Sequence, residues 1–151
     1  MKLHVFGYGS LMNPASLART LPRDHTFHPA TLTGYKRRMN VPYGGHLYLN
    51  VVPREGSVVD GFLIPIEEHE LEPLKRRESG YACIDITARL EEQIDGIAYT
   101  FIAPDVGYPD LKIKKSYIDR CLGGLHPERH QRWLEETIME NEIVEDAHDH
   151  A

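Results

Sequence analysis

The order of β-prone and helix-prone segments predicts an α+β fold for this chain, a single domain built on a mixed or antiparallel curved sheet. Its 151 residues are enough for one domain with a core of its own. The β-prone segments mostly follow one another, whereas a doubly wound fold would alternate them with long crossover helices. Because no repeat or linker divides the chain, residues 1–140 are predicted to form one domain and residues 141–151 an acidic, frayed tail.

The first elements follow from the stretch VFGYGSLMNP near the start of the chain. Residues 3–6 form a short β-prone run that ends in glycines, which predicts a strand leading into a tight loop. Asn13 and Pro14 then suit the cap and the first position of a helix over residues 15–21, which Pro22 stops.

Apolar alternation and turn residues define the remaining elements. Further strands are predicted at residues 31–41, 47–52, 58–66, 81–90 and 96–103, with turns at 42–45 and 53–56 and a bulge suggested by Gly61. Helical spacing and stop signals predict helices at residues 67–77, 112–122 and 127–139, the second of them stopped by Gly123 and Gly124.

The charge balance argues against nucleic acid as a partner. The formal net charge is −6 and the isoelectric point is about 5.8, whereas proteins that bind nucleic acid usually carry a basic face. Lysine and arginine cluster in short runs at residues 36–38, 75–77 and 112–115. We interpret these runs as solvated faces, although one of them could steer a small anionic substrate.

The sequence also argues against a membrane-spanning protein and against export to an oxidising compartment. No stretch approaches the roughly 18 apolar residues that a membrane span needs, and the start, MKLHVFGYG, lacks the long apolar region of a signal peptide. We therefore expect a cytoplasmic protein whose two cysteines, Cys83 and Cys121, are reduced. The sequence does not determine the oligomeric state.

The glycine-rich loop after the first strand is the first candidate site. Consecutive backbone amides in such a loop can form an anion-binding nest for a carboxylate, a phosphate or a developing oxyanion. The loop lacks the lysine of a P-loop, and Met12 takes the place of the third glycine of a dinucleotide fingerprint. Ser10 lies between Tyr8 and Met12 instead of the two glycines of a nucleophile elbow. A plain turn from strand to helix remains an equal alternative.

The stretch LKRRESGYACIDI, residues 74–86, supplies the second candidate. Glu78 follows a predicted helix and precedes a predicted strand, where loops commonly carry function. A carboxylate that is partly desolvated there would have a raised pKa, which suits a general acid and base near neutral pH. Taken by itself, an exposed glutamate in an acidic chain is the better interpretation.

Together these stretches resemble the gamma-glutamylcyclotransferase superfamily. The resemblance rests on GYGSL, GYKRRMN, VDGFLIPI, LKRRESGY and SYIDRCLGGL, which occur in the family's order and cover roughly residues 5–125. The Leu-x-x-Arg-Glu and Gly-Tyr-x-Arg elements are most similar to the ChaC-like branch and its bacterial relatives, among which we include AIG2-like proteins. The combination of these motifs is more specific than GYGSL alone.

The resemblance implies a fold and a reaction. The fold is a small mixed α/β domain around a curved, barrel-like sheet. The reaction cleaves a gamma-glutamyl amide or peptide, because the α-amine of this small-molecule substrate attacks its own γ-carbonyl and leaves 5-oxoproline. Holding the bent conformer gives a high effective molarity. The resemblance implies no metal and no organic cofactor.

The family's functional residues fall on particular positions of this sequence. The loop corresponds to Tyr8, Gly9, Ser10 and Leu11, whose amides would hold the glutamyl group and stabilise the oxyanion. Glu78 corresponds to the acid and base that moves the proton. The resemblance also assigns Tyr117 and Arg37 to substrate binding, with a structural role equally open for Arg37.

Two departures from the family pattern bear on the substrate. Cys83 occupies a position where many relatives have arginine, and the segment near Gly44 and Gly45 lacks the fuller loop of members that degrade glutathione. Glutathione is therefore not the first choice of substrate. A binding protein of the same fold without turnover is the alternative function, and removal of a gamma-glutamyl protecting group in biosynthesis is a weaker one.

The remaining polar and aromatic features are interpreted as structural. His126 and His130 lie four residues apart, as metal ligands on a helix do, but Pro127 makes His126 a candidate helix cap. We expect a solvated tail at His148 and His150, and packed side chains at Cys83 and Trp133.

Overall fold

The computed structural model describes residues 2–146, which form a six-stranded sheet, a two-stranded sheet and a few short helices. The strands are β1 (Leu3–Gly7), β2 (His28–Tyr43), β3 (His46–Ile66), β4 (Ala82–Asp85), β5 (Ile97–Ile102), β6 (Ile113–Lys114), β7 (Thr137–Ile138) and β8 (Ile143–Val144). The helices are α1 (Pro14–Ala18), α2 (Leu71–Arg77), α3 (Lys115–Leu122) and α4 (His130–Glu135), with 3₁₀ turns at Ser10–Met12, Glu68–Glu70, Thr87–Arg89 and Pro127–Arg129.

The large sheet is mixed, and the predicted α+β class is confirmed. Its strand order is β4-β5-β1-β3-β2-β7. A hairpin of the long strands β2 and β3 forms most of it, β1 pairs antiparallel with β3, and β1 and β5 run parallel. Over the described residues the sheet is open between its edge strands β4 and β7. The end of β1 therefore lies in the middle of the sheet, where the glycine-rich loop leaves it.

The turn predicted at residues 53–56 is wrong, because β3 runs through it as one strand. Thr33 pairs with Val58 and Tyr35 pairs with Pro53, so that residues 54–57 bulge out opposite Gly34. The backbone of this bulge is irregular, and Gly56 adopts a φ of +82° there, which glycine tolerates without strain. The strand continues on both sides because Val51 and Val52 before the bulge and Val59 after it are buried. Gly61, in contrast, pairs in regular register with Ala30 and forms no bulge.

The helices begin near their predicted positions but are shorter than predicted. Asn13 caps α1 as expected, because its side chain accepts a hydrogen bond from the Ala15 amide at 3.0 Å. Helix α3 begins three residues later than predicted, because residues 113–114 pair with β8 as a strand. Helix α4 ends at residue 135, because residues 137–138 pair with β2. Likewise, β4 ends at residue 85 in a 3₁₀ turn.

The predicted tail is described as far as residue 146. Within it, β8 pairs in parallel with β6, and the Asp146 carboxylate accepts a hydrogen bond from the Ser116 amide at 3.0 Å. His148 and His150 lie outside the described residues. The domain boundary at residue 140 stays a prediction.

Two groups of buried apolar side chains hold the sheet and helices together. The larger group lies between the β2–β3 hairpin, α3 and α4, and it includes Phe6, Leu49 and Trp133. The smaller group packs β1 against α1 and α2, and it includes Leu17 and Leu74. Among the described residues, none of the helices has the length and apolar character to cross a membrane.

The close approach of β3 to β1 at Gly61 predicts that a larger side chain there destabilises the fold. A Cβ atom at Gly61 would lie 2.3 Å from the Gly7 carbonyl oxygen and 2.7 Å from a Phe6 ring carbon, both of them buried. We expect Gly61→Ala to lower the free energy of unfolding by about 2–3 kcal/mol, measured by urea denaturation. Gly107→Ala is the control, because a Cβ there would have its nearest neighbour, an Arg38 nitrogen, at 3.9 Å. Equal stability of the two variants would contradict this packing.

Candidate active site

The glycine-rich loop turns sharply at the end of β1, and its glycines make room for neighbouring side chains. A Cβ at Gly9 would lie 2.8 Å from a Leu49 methyl group and 3.6 Å from the Tyr117 hydroxyl. Ser10 and Leu11 then open a 3₁₀ turn, which closes with the Met12 amide donating to the Gly9 carbonyl at 2.9 Å. Amides in the first turn of a helix have no acceptor within it. The loop therefore presents backbone donors beside the cavity that it lines.

Glu78 lies at the C-terminal end of α2, where the chain turns back toward the sheet. Its amide donates to the Leu74 carbonyl at 2.9 Å, and the Tyr81 amide donates to the Glu78 carbonyl at 3.0 Å. Gly80 makes this turn possible with a φ of +93°. The Glu78 side chain is 17% exposed. Burial raises its pKa above the ordinary 4.5, and the positive charge of Arg77 opposes that rise.

Arg77 connects Glu78 with α1 and with the glycine-rich loop. Its guanidinium donates to the Ser16 carbonyl and hydroxyl, both at 2.7 Å, and to the Ser10 hydroxyl at 3.1 Å. Its Nε lies 3.5 Å from the Glu78 Oε1. At that distance the pair is an ion pair without a short hydrogen bond, so it offsets only part of the cost of burying the carboxylate. Burial also lowers the pKa of Arg77 itself.

Three tyrosines form the polar wall of the cavity. The Tyr81 hydroxyl donates to the Leu49 carbonyl at 2.6 Å, and the Tyr117 hydroxyl accepts from the Leu49 amide at 3.3 Å. The Tyr8 hydroxyl donates to the Phe101 carbonyl. Burial raises the pKa of all three hydroxyls, so they stay protonated and neutral. They hold the backbone of two strands in place beside Glu78.

These elements line a small inner cavity of about 30 Å³. It brings together the predicted loop residues Tyr8, Gly9, Ser10 and Leu11 with the predicted Glu78 and Tyr117. The cavity opens into an outer groove of about 710 Å³. Ser10, Glu78, Tyr81 and Tyr117 line both spaces, so Glu78 lies at the junction between them.

Arg37 is the predicted site residue that the structure places elsewhere. It lines neither the cavity nor the groove. Its buried guanidinium donates to the Asp60 carbonyl at 2.9 Å and to the Thr137 hydroxyl at 3.1 Å, and it lies 5.3 Å from the centre of the Trp133 ring. Burial lowers the pKa of Arg37 to about 10. These contacts support the structural alternative, in which Arg37 ties β2 to β3 and β7.

The interpretation of the basic runs as solvated faces is wrong at two positions. Arg37 is 3% exposed, and the Arg77 side chain is 17% exposed. Both are retained in the interior because hydrogen bonds satisfy their guanidinium groups. Arg77 and Tyr81 are also the site residues that the sequence analysis missed. Their positions beside Glu78 in the RRESGY stretch were the available signal, but their partners are far away in sequence.

The histidines and cysteines have structural surroundings. His126 caps the 3₁₀ turn as expected, since its Nδ1 accepts from the Glu128 amide at 3.3 Å, and His130 Nε2 lies 3.1 Å from the Leu125 carbonyl. Both cysteines are free thiols, and burial raises the pKa of Cys121 to about 12. No group of three or more histidine, cysteine, aspartate or glutamate side chains within residues 2–146 is placed to hold a metal ion.

The contact between Arg77 and Glu78 predicts the response of one pKa to one substitution. Arg77→Gln removes the positive charge that opposes the effect of burial, so the pKa of Glu78 should rise further above 4.5. A ¹³C NMR titration of the Glu78 carboxyl measures it. Lys75→Gln removes a charge from the same helix and serves as the control, because Lys75 pairs with Glu72 at 3.7 Å. An unchanged or lower pKa in Arg77→Gln would contradict the conclusion that Arg77 stabilises the Glu78 carboxylate.

Comparison with known proteins identifies the family. The family model described as gamma-glutamyl cyclotransferase, AIG2-like, matches residues 5–119. A solved structure described as a gamma-glutamyl cyclotransferase, for which no organism is stated, is 15% identical with a TM-score of 0.75, over 99% of this chain and 95% of that one. An uncharacterized protein from Homo sapiens is 15% identical with a TM-score of 0.76, over 99% and 94% of the two chains.

A third structure, a protein from Arabidopsis thaliana studied in solution, is 25% identical with a TM-score of 0.58 over 73% of this chain and 74% of that one. The structures at 15% identity show the fold. No curated protein matches the chain. Because the family model covers most of the sequence, the chain belongs to the gamma-glutamyl cyclotransferase, AIG2-like family.

Proposed function

We propose that this protein cleaves a gamma-glutamyl amide or peptide by intramolecular cyclisation to 5-oxoproline, with Glu78 as the acid and base. One observation carries the proposal: a mostly buried carboxylate with a raised pKa lies at the junction of a cavity and a groove. Family membership supports the reaction class. A carboxylate of this kind can accept and return a proton near neutral pH.

The reaction needs one nitrogen to give up protons and another to receive them. Glu78 takes a proton from the α-ammonium of the substrate, and the free amine attacks the γ-carbonyl carbon. A new carbon–nitrogen bond forms, and the amide bond to the leaving nitrogen breaks. In total two protons move from the attacking nitrogen to the leaving nitrogen, and no water is consumed. A single residue that alternates between base and acid suffices for this balance.

The glycine-rich loop is suited to stabilise the negative charge that develops on the carbonyl oxygen. The amides of Ser10 and Leu11 open the 3₁₀ turn beside the cavity, and both residues line it. Preorganised donors in a site that excludes water stabilise an oxyanion strongly. The neutral tyrosines add no negative charge to this site, because burial keeps them protonated.

The test is release of 5-oxoproline from a panel of gamma-glutamyl amines, dipeptides and glutathione, followed by mass spectrometry in ¹⁸O-labelled water. Cyclisation gives 5-oxoproline without ¹⁸O, whereas hydrolysis gives labelled glutamate. Glu78→Gln keeps the shape of the side chain but not the proton acceptor, so kcat/KM should fall at least about 100-fold. Glu72→Gln on the same helix, with a 70% exposed side chain, should be unaffected.

Failure of this test has two forms. Activity retained in Glu78→Gln would remove Glu78 from the reaction. No product from any compound, with binding retained, would favour the alternative of a binding protein with the same fold.

Ser10→Ala separates the roles of the loop backbone and the serine hydroxyl. The hydroxyl accepts a hydrogen bond from Arg77, and the proposed oxyanion contacts come from backbone amides that the substitution leaves in place. A hydrogen bond worth about 1 kcal/mol corresponds to a loss of about fivefold in kcat/KM. Complete inactivity of a folded Ser10→Ala protein would instead assign the hydroxyl a direct part in the reaction.

A further inference from the structure

The outer groove is the larger of the two spaces that meet at Glu78. The inference about its occupant rests on the proposed function, in which the γ-carbonyl group of the substrate lies at the inner cavity beside the loop and the leaving half extends into the groove. At about 710 Å³, the groove is within the range of roughly 300–1,000 Å³ that small-molecule sites occupy. It begins at Glu78, the residue proposed to protonate the leaving nitrogen. The residues that line the groove therefore indicate which leaving group fits.

One part of the groove lining is basic. Four arginines from the helical part of the molecule line it: Arg19, Arg76, Arg77 and Arg120. Among the described residues that line the groove, Glu78 alone is acidic, although the whole chain carries a net charge of −6. Within residues 2–146, Arg19 and Arg76 make no hydrogen bond or ion pair with a protein side chain. This local reversal of charge favours an anionic group on the ligand.

A second part of the groove lining is apolar and aromatic. Its residues come from the tip of the β2–β3 hairpin and from the segment after β5: Val41, Pro42, Tyr43, Tyr48, Ala103, Pro104, Val106 and Tyr108. Tyr43 is 71% exposed and Val106 is 46% exposed. Tyr48 stacks edge-on against Tyr117 of the inner cavity, with the ring centres 4.7 Å apart. Exposed apolar surface beside a polar site favours a large apolar group on the ligand.

The apolar wall is held in place although residues 103–108 have no regular secondary structure. Asn50 accepts from the Ala103 amide at 3.0 Å and donates to its carbonyl at 2.9 Å. Asp105 accepts from Asn40 at 2.9 Å, and Asn141 donates to the Tyr108 carbonyl at 2.7 Å. Anchoring at both ends preorganises the wall, which reduces the cost of ordering it when a ligand binds.

We propose that the groove selects gamma-glutamyl dipeptides whose second residue is a large apolar or aromatic amino acid. The leaving nitrogen of such a dipeptide is the α-nitrogen of that residue, so a carboxylate and an apolar side chain both branch from the atom next to it. The arginine side of the groove binds the carboxylate, and the tyrosine and valine side binds the side chain. Simple gamma-glutamyl amines lack the first group, and gamma-glutamyl-alanine lacks the second.

Three matched compounds test this specificity: gamma-glutamyl-phenylalanine, gamma-glutamyl-phenylethylamine and gamma-glutamyl-alanine. The second lacks only the carboxylate, and the third lacks only the ring. We expect kcat/KM for 5-oxoproline release to be highest for the first compound. The double variant Arg19→Gln, Arg76→Gln should lower kcat/KM for gamma-glutamyl-phenylalanine about tenfold more than for gamma-glutamyl-phenylethylamine. Tyr43→Ser should affect the two aromatic compounds and spare gamma-glutamyl-alanine.

Arg54→Gln is the control for loss of charge, because Arg54 is exposed in the β3 bulge and does not line the groove. Equal kcat/KM for all three compounds, or an arginine effect that is the same with and without the carboxylate, would overturn the specificity while leaving the cyclisation intact. If no compound yields 5-oxoproline, the proposed function fails and isothermal titration decides the specificity. Tighter binding of gamma-glutamyl-phenylalanine than of the other two would then support it, and equal binding would overturn it.

Discussion

The site depends on keeping one carboxylate ionisable while most of its water is removed. Glu78 is 17% exposed, and burial raises its pKa above 4.5. Arg77, 3.5 Å away, limits this rise because it is close enough to attract the carboxylate but does not form a short hydrogen bond with it. A shorter, bidentate pair would hold the carboxylate as a weak base. The observed arrangement leaves a group that can both accept and return a proton.

Contacts with α1 and the glycine-rich loop, and with Leu49 of β3, hold this arrangement in place. Arg77 is fixed by Ser16 of α1 and by Ser10 of the glycine-rich loop, so the loop and Glu78 share one anchor. Leu49 of β3 is held through its amide and its carbonyl by Tyr117 and Tyr81. The inner cavity and the outer groove meet at Glu78, so that in the proposed reaction one side chain serves both the attacking and the leaving nitrogen.

The residues of the site that the sequence predicted are those in short local motifs. Tyr8, Gly9, Ser10, Leu11, Glu78 and Tyr117 were each identified from the resemblance, and the structure places them around one cavity. Arg77 was missed because its role arises from contacts with α1 and the loop, about 60 residues earlier in the chain. Arg37 belongs to an equally recognisable motif, but its partners are the backbone of β3 and a side chain of β7.

The fold class followed from the order of strands, whereas the length of β3 did not. Pro53 and Gly56 are local turn signals, but pairing with β2 on both sides keeps the strand continuous through a bulge. The sequence did not predict the apolar wall of the groove either, because side chains from distant strands position a segment without regular structure. Local chemistry thus indicated the candidate site residues, while long-range packing determined their support and the shape of the groove.

The most direct test of Glu78 as the proposed acid and base compares the pH dependence of kcat/KM for 5-oxoproline release with an NMR titration of the Glu78 carboxyl. The acidic limb of the profile reports the essential base of the free enzyme. If Glu78 is that base, this limb and the NMR titration give the same pKa, above 4.5. An acidic limb at a different pH, or a Glu78 pKa at or below 4.5, would contradict the assignment of Glu78 as the group that moves the proton.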